Sequence, residues 1–187
     1  MTGVGLEEMT PPPTMHVPFA VDVPPGWRAV EPPAGQARAA FAAVRDTDPA
    51  PGFRPAITID LERATSDVDY VAVADTAAGR LAAQVAGLVV LDRRTVGGDG
   101  PPGIVQLLRL RTEPDDVGEP SLELVQSQVY LGIGLDAARR DTLLVQLTCT
   151  STPAQADVVA AEFEQFVASF RLRREVPETE EEQPDGG

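Results

Sequence analysis

The sequence predicts an α+β fold, an antiparallel β-sheet sandwiched or covered by two main helices. Three observations carry this. Ala56 to Glu62 and Thr142 to Thr150 alternate apolar with polar residues, the period of a half-buried strand. Four strand-like stretches follow one another between Leu88 and Thr150 through short connections, which is the pattern of an antiparallel meander. Two other stretches recur at intervals of three and four, each giving one apolar helical stripe.

Residues 1–16 read as a flexible lead, broken by Pro11-Pro12-Pro13 and without periodicity. The first strand is Phe19 to Val23, ended by Pro24-Pro25-Gly26 and followed by Trp27. Arg38 to Val44 is a second strand, with Ala39, Phe41 and Ala43 on one face. Ala56 to Glu62 is a third, with Ile57, Ile59 and Leu61 inward and Thr58, Asp60 and Glu62 outward. Ser66 and Asp69 form a capping pair for the first helix, in which the Ser66 hydroxyl accepts an orphan N–H and the acid suits the positive end. Its stripe is Val71, Ala74, Ala78, Leu81 and Val85. The meander is Leu88 to Thr95, Ile104 to Thr112, Leu122 to Leu131 and Thr142 to Thr150. Gly97 to Gly103 and Gly132 to Asp141 are read as turns. In the last strand Leu143, Val145, Leu147 and Cys149 face in, while Thr142, Gln146, Thr148 and Thr150 face out. Thr152, Pro153 and Gln155 then make a capping box for the second helix, whose buried face is Val159, Phe163, Phe166, Val167 and Phe170. The domain is expected to span 17–173. Residues 174–187 are rich in Pro and Glu and cannot bury enough apolar area to order, so they form a disordered acidic tail.

Composition narrows the function. The 187 residues are 43% hydrophobic and 24% charged, ordinary for a globular domain that needs no staple. Cys149 is the only cysteine, which excludes an internal disulfide and a cysteine-based zinc site. There are 29 acids against 15 bases, a net charge of −14, and no basic run beyond Arg173-Arg174 with nearby Arg171. Nucleic acid and anionic membrane are therefore excluded as partners, since both need clustered bases. Every base is Arg, and Lys and Asn are absent. This bias toward G/C-rich codons points to a high-GC bacterium, an actinobacterium first. The N-terminus has no basic n-region or apolar h-region, and no stretch has the length of a membrane span, so a cytoplasmic location is expected.

A strand leading into Val23-Pro24-Pro25-Gly26-Trp27 is followed by a mid-chain helix and a meander. A closing Gln146-Leu147-Thr148 strand then leads to a helix ending Ser169-Phe170-Arg171. This arrangement resembles the PsbP-like superfamily, and within it the actinobacterial LpqN-type lipoproteins most. The resemblance covers about residues 17–173 and rests on the order of elements more than on any one motif. It implies an α/β/α sandwich, no shared enzymatic activity, and an accessory or binding role. The chain departs from the LpqN-type pattern in lacking a signal and a lipobox.

Chemistry-bearing residues are few. His16 is the only histidine and falls in the lead, so neither a His triad nor a multi-His metal site is available. Cys149 faces inward and reads as a small buried hydrophobe. Gly97 to Gly103 and Gly132-Ile133-Gly134 match no phosphate-binding pattern and read as hairpin connections. Asp67 with Asp69 belongs to a helix start, and Asp115-Asp116 to a solvated loop. No catalytic residue, cofactor or metal is implied. Trp27 packs against the sheet edge or last helix, or, if exposed beside Phe53, anchors a partner. The expected function is a non-catalytic accessory module that binds another protein. The alternative is a carrier of a small apolar ligand, held between sheet and helices where Ala74, Ala77 and Ala78 leave room.

Overall fold

A computed structural model of the chain describes residues 17–32, 39–46, 53–65, 67–113, 121–136 and 141–173. The two most strictly alternating segments lie together at the middle of the sheet. β4 (Ala56–Thr65) and β8 (Asp141–Ser151) pair antiparallel over ten positions, from Ala56 opposite Thr150 to Thr65 opposite Asp141. β5 (Ala86–Val96), β6 (Gly103–Arg111) and β7 (Glu123–Gly134) complete the meander on one side. β2 (Trp27–Val30) and β3 (Ala39–Arg45) lie on the other, giving the order β2-β3-β4-β8-β7-β6-β5. The fold is α+β, a large antiparallel sheet with a helix on each face.

Alternation decides which face each helix covers. Ile57 and Ile59 of β4, with Leu143, Val145 and Leu147 of β8, point to one face and are fully buried. α2 (Ala156–Ser169) lies there and contributes Val159, Phe163 and Phe166. Phe166 stacks on Phe41 of β3 at 5.8 Å between ring centroids. Burial of each such side chain stabilises the fold by about 1.5–3 kcal/mol, so this face holds most of the hydrophobic stabilisation. α1 (Tyr70–Ala82) covers the opposite face, where Ala74 packs with Ile104 and Tyr130. Its N-cap is Asp69, whose carboxylate accepts the N–H groups of Val71 and Ala72 at 3.0 Å each. Ser66, expected to share the capping, lies outside the described residues. No helix among the described residues is long and apolar enough to cross a membrane.

The structure adds two strands to those expected and adjusts several boundaries. The strand expected over Phe19 to Val23 is the two-residue β1 (Phe19–Ala20), which pairs with β9 (Arg171–Leu172) just beyond α2. Val21 and Val23 still pack against the core. β2 starts at Trp27 itself and was not foreseen. α1 ends at Ala82, because β5 begins at Ala86 with Gly87 at φ 73°, so Val85 falls in the bend between them. The buried stripe of α1 is also rotated. Val71 is 46% exposed, and Tyr70, Val73 and Ala77 turn inward instead. Gly132 explains the rotation: a Cβ there would collide with the Tyr70 hydroxyl, so the missing side chain admits the tyrosine. Gly132-Ile133-Gly134 is accordingly the end of β7, not a turn. Thr152 is not the N-cap of α2. Gln155 occupies that position without a side-chain cap, and its Oε1 accepts from the Thr152 N–H at 3.1 Å and hydroxyl at 2.9 Å across a preceding turn.

Candidate functional site

The polar residues of β4 and β8 that alternation sends outward face a groove beside α1, which itself packs on β5 and β6. Register extends them into rows across the sheet. One row runs Gln106, Gln128, Thr148, Thr58 through β6, β7, β8 and β4, and the next runs Ile104, Tyr130, Gln146, Asp60. α1 overhangs these rows and leaves a groove of about 970 Å³ beside them. Its floor is Thr58, Asp60, Gln126, Gln128, Gln146 and Thr148, and its wall includes Ala72, Thr76 and Arg80, all exposed.

The floor is tied into one relay. Gln128 Oε1 accepts from Gln106 Nε2 at 2.5 Å and from the Tyr130 hydroxyl at 2.8 Å. Gln128 Nε2 donates to Gln126 Oε1, and Gln126 Nε2 donates to Thr150 Oγ1 at 3.0 Å. At the other end Arg93 of β5 donates to Gln106 Oε1 through Nε at 3.1 Å and Nη2 at 2.8 Å, and also pairs with Asp75 of α1. Gln106 is fully buried and Gln128 is 3% exposed, yet among the described residues no buried side-chain polar atom lacks a partner. An amide taken from water without a partner would cost about 1–3 kcal/mol, so the network holds only because it is complete. Burial raises the Tyr130 hydroxyl well above its ordinary 10, against a smaller lowering from Gln106. It stays protonated and serves as a donor. The relay thus gives this floor fixed hydrogen-bonding groups.

The residues singled out in the sequence fall elsewhere. Trp27 is 7% exposed and belongs to the core on the α2 face. Its Nε1 donates to Glu162 Oε2 of α2 at 2.8 Å, and the same carboxylate accepts from Arg45 Nε at 3.0 Å and Nη2 at 2.8 Å. Trp27 thus takes the packing role against the last helix and lacks the exposure that an anchor needs. Phe53 is half-buried, and its carbonyl accepts from Gln155 Nε2 at 3.4 Å. Cys149 is buried, and desolvation, then the nearby Glu162 charge, pushes its thiol up to about 12. A thiol so rarely ionised is no nucleophile at neutral pH. Gly97 and Gly98 have φ of 153° and 74° and form the β5–β6 hairpin as read. Of the three alanines expected to leave room, Ala74 and Ala78 are buried under α1, whereas Ala77 lines the groove with Ala72, Val73 and Leu144. His16, Asp115 and Asp116 lie outside the described residues. Among the described residues no group of three or more His, Cys, Asp or Glu could hold a metal. A space between the sheet and the first helix was expected, but its polar floor was missed. Gln106, Gln126, Gln128 and Gln146 sit at outward strand positions in the sequence, and that recurrence of amides was the available signal.

No family model and no curated protein matches the chain. Solved structures do. LpqN of Mycobacterium tuberculosis, involved in cell envelope biogenesis, matches at 16% identity over 83% of each chain with a TM-score of 0.58. The cyanobacterial PsbP of Synechocystis matches at 10% identity over 89% of this chain and 99% of that one, with a TM-score of 0.55. The chain has the PsbP-like fold, related to that of the LpqN-type lipoproteins, as the order of elements implied. The cytoplasmic expectation is corrected by the same finding, because LpqN works in cell envelope biogenesis. That expectation rested on a missing leader, and leaders are removed in mature chains, so the sequence alone could not carry it.

Proposed function

We propose that the chain is a non-catalytic binding module that holds a segment of a partner protein in the groove between α1 and the β4–β8–β7 face. The polar floor carries this reading. A sheet face that served packing alone would be apolar, as the α2 face is, whereas here amide and hydroxyl groups line the middle of the sheet beneath an overhanging helix. The floor is polar, Ala72, Val73, Ala77, Leu81 and Leu144 add apolar lining around it, and the helix wall stays exposed at Ala72, Thr76 and Arg80, so the groove offers both polar matching and apolar contact. A polypeptide segment supplies the alternating donors and acceptors such a floor can match. Asp60, Glu62 and Asp69 stand on the groove against one guanidinium, Arg80, which favours a donor-rich or basic partner surface.

The test is site-directed photocrosslinking with benzoylphenylalanine at Thr76 on the groove wall, and at Glu164 on the exposed side of α2 as a control. In lysate of a high-GC actinobacterium, Thr76 gives a discrete adduct with one protein and Glu164 does not. Gln146→Arg, which fills the floor, abolishes the adduct. Equal adducts from both positions, or none from Thr76, would count against the groove.

A further inference from the structure

The sheet has two edges, and they are not alike. β2 is four residues long, and so short an edge offers little to pair with. β5 is eleven residues long and among the described residues pairs only with β6. It contains no proline, and three consecutive residues on it, Val89, Val90 and Leu91, are 47%, 42% and 47% exposed. Only two other large hydrophobic residues among those described are as exposed, Val71 and Val158, one on each helix. Apolar exposure is thus concentrated on the one long open edge.

Charge distinguishes this edge from the rest of the molecule. Val89 lies opposite Arg109, and Arg94 opposite Val105. Val105 packs toward the α2-side core, so Val89, Arg94 and Arg109 share the face away from α1. The register shift between Val90 and Asp92 makes this possible, because the extra residue returns Arg94 to the face of Val89. Arg94 and Arg109 are exposed, and among the described residues neither makes an ion pair. Arg111 on the same face reaches Glu123 only at 3.9 Å. Asp92, opposite Leu107, is the one acid of β5 on this face, so among the described residues a chain with a net charge of −14 carries an excess of arginines beside its long apolar edge.

We propose that the β5 edge is a strand-addition site for an extended acidic segment of a partner protein, separate from the α1 groove. The unpaired backbone groups of β5 supply the ladder, Val89 to Leu91 take alternate apolar side chains, and Arg94 with Arg109 select carboxylates. A second copy fits less well, since it would set the same arginines against each other.

Random octapeptides displayed on phage, selected against the full chain at low salt, provide the test. The enriched sequences contain at least two Asp or Glu alternating with apolar residues. The best of them, as a synthetic peptide, perturbs the backbone amides of Ala86 to Val96 in a nuclear magnetic resonance titration. Arg94→Glu with Arg109→Glu, both exposed and checked for folding by Trp27 fluorescence, weakens binding about tenfold or more, and salt weakens it in the wild type. The proposal is overturned by no enrichment, by enrichment without acids, or by undiminished binding to the double variant. Amide changes confined to the groove would also overturn it, as would a wild-type dimer whose β5 amides are already protected from exchange.

Discussion

Glu162 is the residue whose removal tests the packing of this domain most directly. Its carboxylate accepts from the Trp27 indole and forms a two-bond pair with Arg45, holding β2, β3 and α2 together. Glu162→Ala leaves the indole N–H, on a residue 7% exposed, without an acceptor, at about 1–3 kcal/mol. Losing one partner of a fully buried ion pair costs about 3–5 kcal/mol. Here the Arg45 and Glu162 side chains are 20% and 21% exposed, and the guanidinium can turn to water, so about 1 kcal/mol is assigned to it. The total is about 2–4 kcal/mol, a fall in Tm of about 5–15 °C for a domain of this size. Glu162→Gln keeps one oxygen for the indole and loses the charge, so it costs about half as much. Trp27 is the only tryptophan, and its fluorescence reports both the local environment and global unfolding in urea. Glu162→Ala shifts the native emission to the red and lowers the urea midpoint without changing the slope. A midpoint within about 0.5 kcal/mol of wild type would refute the reasoning. Equal losses for Ala and Gln would refute the division between hydrogen bond and charge.

Three further outcomes are expected. Gln128→Leu strands partners at Gln106, Tyr130 and Gln126, and lowers stability by about 2–4 kcal/mol in urea melts; Gln106→Leu added to it costs less than the two singles summed, since they share one network. Gly132→Ala drives a Cβ into the Tyr70 hydroxyl and costs about 1–3 kcal/mol, most of it restored by Tyr70→Phe. At high pH the unfolded state releases the Cys149 proton near 9 while the folded state holds it to about 12, so the folded state binds more protons across that window and stability falls as pH rises. Each unit costs about 1.4 kcal/mol, and Cys149→Ala removes that slope, leaving the later one from Tyr130 above 10. Below pH 9 the two proteins show parallel stability curves, and a slope beginning near neutrality would contradict the assignment.

The strongest local signals were read correctly, the Thr152 cap and the Gly132–Gly134 turn were not, and distant contacts were not legible at all. Strict alternation gave β4 and β8, because period two fixes which side chains share a face whatever the neighbours are. The start of α1 was legible near Ser66 and Asp69, although the accepting oxygen was expected from Ser66 and it is the Asp69 carboxylate that bonds the N–H groups two and three residues on. β1 and β9 pair across the whole domain, Phe19 with Leu172, through two residues each, too few to carry a pattern. The Trp27–Glu162 bond spans 135 positions and leaves no local trace. Tyr70 rotated the stripe of α1 because of a glycine on a strand three elements later. The groove combined both kinds of information. Its polar residues were visible as outward positions, but that outward meant beneath a helix depended on where α1 docked.

The two faces of the sheet make different demands, and the difference bears on function. On the α2 face, apolar burial does what a core does, and Ile57, Ile59, Leu143, Val145 and Leu147 are interchangeable in principle with other close-packed hydrophobes. On the α1 face the same strands carry Thr58, Gln146 and Thr148, while β6 and β7 carry Gln106, Gln126 and Gln128. Replacing a satisfied buried polar pair by apolar groups of similar shape is often neutral or stabilising, so stability alone gives no reason for this row. The relay does what apolar packing would not: it fixes the orientation of each amide, so the groove presents a set pattern of donors and acceptors before anything binds. A preordered pattern lowers the entropy lost on association and discriminates among partners by leaving mismatched polar groups unpaired. Under the proposed groove reading, specific recognition of a polar partner is the demand this arrangement would meet, on the face opposite the larger core.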